Sequence, residues 1–296
     1  MRAAVVTAFG GPEAVEIVET DVPEPAARQI RIKVAAAALN PVDAGVRAGV
    51  FGGAGKRLGL GWDVAGTVDA VGVATGWTVG DEVVALVYGT AKSLGTHADH
   101  VIVDADAVAK APASVDAVHA ATLPLNALTA AQALDLLALE PGRSLLVTGA
   151  AGAVGGYAVQ LAAHRGLAVT GVARAADEEL VRSLGATRFA AGAVAPGSVD
   201  GVLDAAILGA AALEWVRDGG VFTGVIPHAH PASVRGVRTG SVEVAADGAR
   251  LAELVALVDA GVLTPRVAET FALDGAVKAH ARLAEGGLRG RVVLVP

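Results

Sequence analysis

Apolar and polar residues alternate strictly along Gln29-Ile30-Arg31-Ile32-Lys33-Val34-Ala35-Ala36, a period of two that predicts a strand with one buried face. Residues 2–8 and 15–19 also read as short strands, and β-rich stretches follow at 63–71, 82–87 and 97–103. Gly72, Gly76, Gly80 and Asp81 divide them, so this first part is expected to be a mostly antiparallel, irregular β-barrel. Near Ser114 the pattern changes. A helix is expected from there, and a second over 128–139 ends at Glu140-Pro141-Gly142. Strands at 144–148, 167–173, 186–190, 200–204 and 219–225 then alternate with helices at 154–165, 177–184 and 209–217. Such order implies a parallel sheet with right-handed crossovers. The tail adds a strand at 267–271, a helix at 273–285 and a strand at 291–295, which break the alternation and are expected to return to the first domain.

Composition narrows the class. With 296 residues, 53% apolar and only 18% charged, the chain reads as a globular protein long enough for two domains. A net charge of −7 with no Lys/Arg stripe argues against nucleic acid as a partner. No apolar run reaches the roughly 18 residues of a membrane span, and the N-terminus reads as a strand of a cytoplasmic protein. Cysteine is absent, which removes disulfides, thiolate nucleophiles and every zinc site built on sulfur. The Ala, Val and Gly bias blunts hydrophobic periodicity.

The candidate chemistry lies mid-chain. Thr148-Gly149-Ala150-Ala151-Gly152-Ala153-Val154-Gly155-Gly156 joins a predicted strand to a predicted helix. Missing side chains let the backbone approach a pyrophosphate, and N–H groups at the helix N-terminus, around Gly152, Ala153 and Val154, meet its charge. The match is Ala150-x-Gly152-x-x-Gly155, with alanine in place of the usual first glycine; the bland reading is a structural turn. About 20 residues on, an acidic residue would select NAD. Here the strand ends Val172-Ala173-Arg174, and a guanidinium suits the 2′-phosphate of NADPH. Asp177, Glu178 and Glu179 follow, read as capping and dipole partners of the next helix.

The chain resembles the medium-chain dehydrogenase/reductase superfamily and, within it, the zinc-free quinone oxidoreductases that include zeta-crystallin. The strings that carry the resemblance run almost end to end. They include Phe9-Gly10-Gly11-Pro12-Glu13, Asn40-Pro41-Val42-Asp43, Gly61-Trp62-Asp63-Val64-Ala65-Gly66, Val79-Gly80-Asp81-Glu82-Val83, Leu184-Gly185-Ala186 and Arg289-Gly290-Arg291-Val292. The resemblance implies an α/β fold of two parts, a GroES-like irregular β-barrel substrate domain (1–122) and a Rossmann doubly wound parallel sheet (123–262). A C-terminal return (263–296) completes it, with NADPH in the cleft between the domains. Alcohol dehydrogenase relatives hold zinc with a cysteine near the position of Asn40 and a Gly-His-Glu string at Gly61-Trp62-Asp63. Neither ligand is present, so a metal-free mechanism is expected, with Asp63 a buried structural acid rather than a catalyst.

Hydride transfer without a metal relies on positioning and on hydrogen-bond donors for the developing negative oxygen. Asn40 is the best candidate donor, toward a substrate carbonyl or the nicotinamide ribose, against the alternative of a turn-forming Asn before Pro. Asp43 is expected to support that loop. Tyr88 either donates a proton or closes the cleft with its ring. The resemblance gives Thr129 a hydroxyl contact to the cofactor, against helix back-bonding. Gly224, Val225 and Ile226 end a strand at its carboxyl edge, where their backbone suits the nicotinamide carboxamide. His97-Ala98-Asp99-His100 puts His97 and Asp99 on one strand face and His100 on the other, a poor chelate, and His228-Ala229-His230 reads as a shaped loop. Arg188-Phe189-Ala190-Ala191 departs from the acidic residue and Asn-Tyr pair of many relatives.

The leading expectation is therefore an NADPH-dependent reductase of quinones or conjugated carbonyls, a dimer through strand pairing around 237–244 as the resemblance suggests. Two alternatives stay open: a double-bond reductase of alkenals, enones or enoyl thioesters, and a non-catalytic NADPH-binding protein.

Overall fold

A computed structural model describes residues 1–296, which divide into two compact units. Unit one comprises residues 1–125, 245–260 and 265–296, and unit two residues 126–244 and 261–264. No helix is long and apolar enough to cross a membrane.

Unit one begins with β1 (Arg2–Val6), β2 (Glu16–Glu19), β3 (Gln29–Leu39), α1 (Pro41–Arg47), β4 (Leu58–Gly59), β5 (Asp63–Val71), β6 (Glu82–Leu86), β7 (His100–Asp104), β8 (Val108–Lys110) and α2 (Ala117–Ala120). The alternation along β3 has its expected result: Ile30, Ile32 and Val34 are buried in a core with Val64, Val68, Val83 and Val101. Each such side chain contributes about 1.5–3 kcal/mol by leaving water. Helix α3 (Pro124–Leu137) leads into unit two. There follow β9 (Ser144–Thr148), α4 (Ala153–His164), β10 (Ala168–Val172), α5 (Glu178–Ser183), β11 (Arg188–Ala190), β12 (Val199–Asp204), α6 (Ala210–Leu213), β13 (Val216–Gly224) and β14 (Arg238–Ser241). The chain then returns to unit one with α7 (Gly248–Asp259), β15 (Val267–Ala272), α8 (Ala276–Glu285) and β16 (Arg291–Val295).

The strands of unit one make a three-stranded sheet in the order β2-β1-β4 and a larger one in the order β15-β16-β3-β5-β6-β8, with β7 also on β3. All pairs are antiparallel except β15 with β16. The tail closes this unit by laying Val292, Val293 and Leu294 against Leu39, Ala38 and Ala37. Unit two is a six-stranded parallel sheet in the order β11-β10-β9-β12-β13-β14. The order reverses direction between β9 and β12, which makes the carboxyl end of β9 the switch point where such sheets bind ligands. Unit one is thus the mostly antiparallel domain expected from the first part of the chain, and unit two is a doubly wound parallel sheet of the Rossmann type.

Several elements differ from the sequence reading. Asn40-Pro41 opens helix α1 instead of a simple turn, because proline fits the first helical position. The helix expected over 209–217 stops at Leu213, and Val216, fully buried, already pairs with Val199. The strand expected from His97 starts at His100. Residues 245–260, read as part of the second domain, cluster with unit one, where the backbone at Gly248 presses against the carbonyls of Asp106 and Val108.

Candidate active site

In unit two the glycine turn joins β9 to α4 as its sequence predicts, with one substitution of roles. Gly149, not residue 150, carries the left-handed conformation, φ +59°, so Ala150 is tolerated and lies fully buried. Gly152 N–H closes the turn onto the Gly149 carbonyl at 2.8 Å and caps α4. At Gly155 a Cβ would collide with the Gly149 carbonyl, so glycine there lets α4 press against the turn. The first N–H groups of α4, at Ala153 and Val154, have no acceptor within the helix. A bare backbone at a helix N-terminus, at the switch point of a parallel sheet, fits a nucleotide pyrophosphate.

The switch point has a polar frame that the sequence reading missed. Buried Thr148 donates to Asp204 Oδ1 at 2.6 Å and accepts from Ala206 N at 2.9 Å, while Gly209 N donates to Asp204 Oδ2 at 2.7 Å. These bonds tie the ends of β9 and β12 and the loop after β12 together.

Arg174 follows the end of β10. Its Nε donates to Asp177 Oδ2 at 2.9 Å; the arginine side chain is 61% exposed and the aspartate 1%. Asp177 makes no side-chain cap on α5, so the capping role expected for it gives way to holding Arg174. The fork of the guanidinium stays in solvent while its stem end is fixed. Of the other residues expected here, Thr129 is buried in α3, Gly224 ends β13, and Val225 and Ile226 follow, Ile226 exposed.

In unit one, Asn40 lies at the end of β3 as the N-cap of α1. Its main-chain N–H donates to Asp43 Oδ2 at 2.8 Å, and the other carboxylate oxygen of Asp43 accepts from Gly61 N at 2.8 Å. Asp43, fully buried, thus ties the start of α1 to the Gly61-Trp62-Asp63 string. The Asn40 amino group donates to Asp63 Oδ2 at 2.6 Å and to the Ala38 carbonyl at 3.3 Å. Both hydrogens of the expected oxyanion donor are therefore committed inside the domain. Asp63 also accepts from Leu125 N at 2.5 Å. Burial pushes the Asp63 carboxyl up to about 7, against the Leu125 and Asn40 hydrogen bonds that pull it down.

The sequence reading passed over Lys92. It is half-buried, its Nζ 4.8 Å from the centroid of the Trp62 ring and 2.6 Å from the Val87 carbonyl, to which it donates. Burial lowers its ammonium to about 7, opposed by the negative charges of Asp43 and Asp63. Tyr88, 48% exposed, meets Trp62 edge to face with centroids 5.1 Å apart.

The histidines serve elsewhere. His97 is buried and its Nε2 donates to the Ala38 carbonyl at 3.1 Å, whereas His100 pairs with Asp69 at 3.3 Å. His228 and His230 are exposed, and the Nδ1 of His230 lies 3.2 Å from Ser241 Oγ. No three His, Asp or Glu side chains are grouped so as to hold a metal ion.

Comparison with known proteins agrees with this geometry. A family model described as "Alcohol dehydrogenase GroES-like domain" matches residues 26–113, and one described as "Zinc-binding dehydrogenase" matches residues 174–294. The chain is 34% identical to the "NADPH-dependent alkenal/one oxidoreductase, chloroplastic" of Arabidopsis thaliana, over 100% of this chain and 80% of that protein. The quinone oxidoreductase of Coxiella burnetii superposes with a TM-score of 0.87 at 26% identity, covering 100% of this chain and 99% of that one. The structure of an NAD-dependent alcohol dehydrogenase superposes with a TM-score of 0.89 at 29% identity, covering 100% of each chain. Sequence, fold and the glycine turn together place this chain in the medium-chain dehydrogenase/reductase superfamily of NAD(P)-dependent oxidoreductases, in its quinone oxidoreductase family.

Proposed function

We propose that the chain uses NADPH to reduce a quinone or a conjugated carbonyl without a metal. Arg174 carries this reading: a guanidinium fixed at Nε by buried Asp177, standing where a carboxylate would repel a 2′-phosphate. The named Arabidopsis relative uses the same cofactor. Bound NADPH supplies a hydride. The chain's residues then hold and orient: Gly152, Ala153 and Val154 at the pyrophosphate, Arg174 at the 2′-phosphate, Thr129 and the backbone of Gly224, Val225 and Ile226 on the nicotinamide side. Asn40, buried with its amide committed, holds the start of α1 in place, and Tyr88, half exposed against the buried Trp62 ring, offers an aromatic surface to a flat acceptor. The absence of cysteine and the Gly61-Trp62-Asp63 string support a metal-free route. The β14 edge supports a homodimer by strand addition.

Within this class, reduction of an alkenal or enone double bond is favoured over an alcohol substrate by the alkenal/one relative that aligns with the whole chain. The cofactor assignment is tested with Arg174→Ala. NADPH affinity is expected to fall about 10- to 100-fold, the worth of charge-assisted hydrogen bonds to one phosphate, with NADH affinity little changed. Equal losses for both cofactors would contradict it.

A further inference from the structure

The proposed reduction needs a proton as well as a hydride, and the groups around Trp62 differ sharply in their freedom to give one. The Asn40 amino group is spent on Asp63 and Ala38. Both Asp63 oxygens accept hydrogen bonds and the residue is fully buried. His97 gives its Nε2 proton to the Ala38 carbonyl and is likewise buried. Lys92 has one hydrogen-bond acceptor, the Val87 carbonyl, for an ammonium with three donors.

Its position is built. The Lys92 carbonyl accepts from Gly59 N at 2.8 Å, Thr96 N donates to Gly61 O at 3.2 Å, and His97 N donates to Leu60 O at 3.0 Å. Residues 92–97 are thus laced to 59–61, and Gly61, with φ +96°, leaves no room for a Cβ beside Thr96 and His97. This lacing sets the Lys92 amine on the face of the buried Trp62 ring, which half-exposed Tyr88 also meets edge to face.

We propose that Lys92 is the proton donor of this reductase, delivering its proton to the carbonyl oxygen of an acceptor lying against half-exposed Tyr88, which meets the buried Trp62 ring beneath the Lys92 amine. The proposal rests on the reading of the chain as an NADPH-dependent carbonyl reductase. On the acceptor a C–H bond forms with the electron pair of the hydride, and the displaced π pair ends on the carbonyl oxygen. That oxygen takes the proton as the Lys92 N–H bond breaks, and the neutral amine recovers a proton from water. Reduced nicotinamide is the two-electron reductant. A group that must be charged to act and neutral afterwards is served by an ammonium lowered to about 7. The charges that bear on it are Asp43 and Asp63, which favour the cation, and His97, which opposes it when protonated.

The test compares wild type, Lys92→Met and Lys92→Arg with an enone and a quinone across pH 6 to 9, alongside NADPH dissociation constants and a ¹⁵N-lysine NMR titration of the protein without cofactor. Wild-type kcat is expected to fall as pH rises through the Lys92 pKa, with the NMR midpoint on the same limb. Lys92→Met is expected to lose about 100-fold in kcat with NADPH affinity kept within about twofold, and Lys92→Arg to lose the alkaline limb. An active wild type whose kcat and alkaline limb survive in Lys92→Met would overturn the role of Lys92 alone. A wild type that binds NADPH and turns over no acceptor would overturn the reductase reading and this role with it.

Discussion

The Asn40 amide and the Asp63 carboxylate meet at 2.6 Å inside unit one, and the two residues hold each other in place. Asn40→Asp would set two buried carboxylates at that distance, where both cannot ionise. A loss of about 3 kcal/mol or more is expected at pH 8, the scale of an uncompensated buried charge. It should shrink as pH falls below about 7, where Asp63 takes a proton. Urea denaturation at pH 8 and pH 5.5 checks this. A loss equal at both would contradict the pairing.

At the glycine turn, binding and stability should separate. Gly152 has an extended conformation open to any residue, φ −73° and ψ 179°, and a Cβ there meets only the Gly149 carbonyl, at 3.1 Å. Gly152→Asp supplies a good N-cap while placing a negative charge at the phosphate cradle. Thermal stability is expected to hold or rise, while NADPH affinity falls more than about tenfold, as like charges in contact require. Calorimetric titration and a melting curve on one sample check both halves.

Arg47 Nη1 donates to His280 Nδ1 at 3.1 Å in the core of unit one. Burial, with the neighbouring charges of His97 and Arg47, lowers His280 from 6.5 to about 3. The folded pKa lies below the unfolded one, so the unfolded chain binds the proton first. The stabilisation is present above pH 6.5 and is lost as pH falls toward 3. His280→Gln keeps an acceptor for Arg47 and cannot titrate. Its stability is expected to decline less steeply between pH 6.5 and 4, read from denaturant midpoints; an unchanged slope would contradict the assignment.

Local signals were legible in the sequence, and tertiary ones were not. The strands at 144–148 and 291–295 and the glycine turn follow from short-range period and turn chemistry. Helix α7 was missed because an alanine-rich background hides its apolar stripe of Leu251, Leu254, Val255 and Val258. Arg174 was visible at the strand end, but its partner Asp177 looked like a cap because sequence does not say which way a carboxylate turns. Lys92 was invisible, since only folding lays it on Trp62, thirty positions away. Asn40 was read as a free donor because the Asp63 that takes its amide lies on another strand.

The most direct measurement is NADPH oxidation by the purified protein against a panel of quinones, enals, enones and enoyl thioesters, with NADH in parallel and metal content assayed on the same sample. Turnover is expected with NADPH and a quinone or conjugated carbonyl, NADH at least about tenfold less effective by the loss of one phosphate contact, and no stoichiometric zinc. Tight NADPH binding without turnover of any acceptor, or activity that follows bound zinc, would contradict metal-free hydride transfer by this chain.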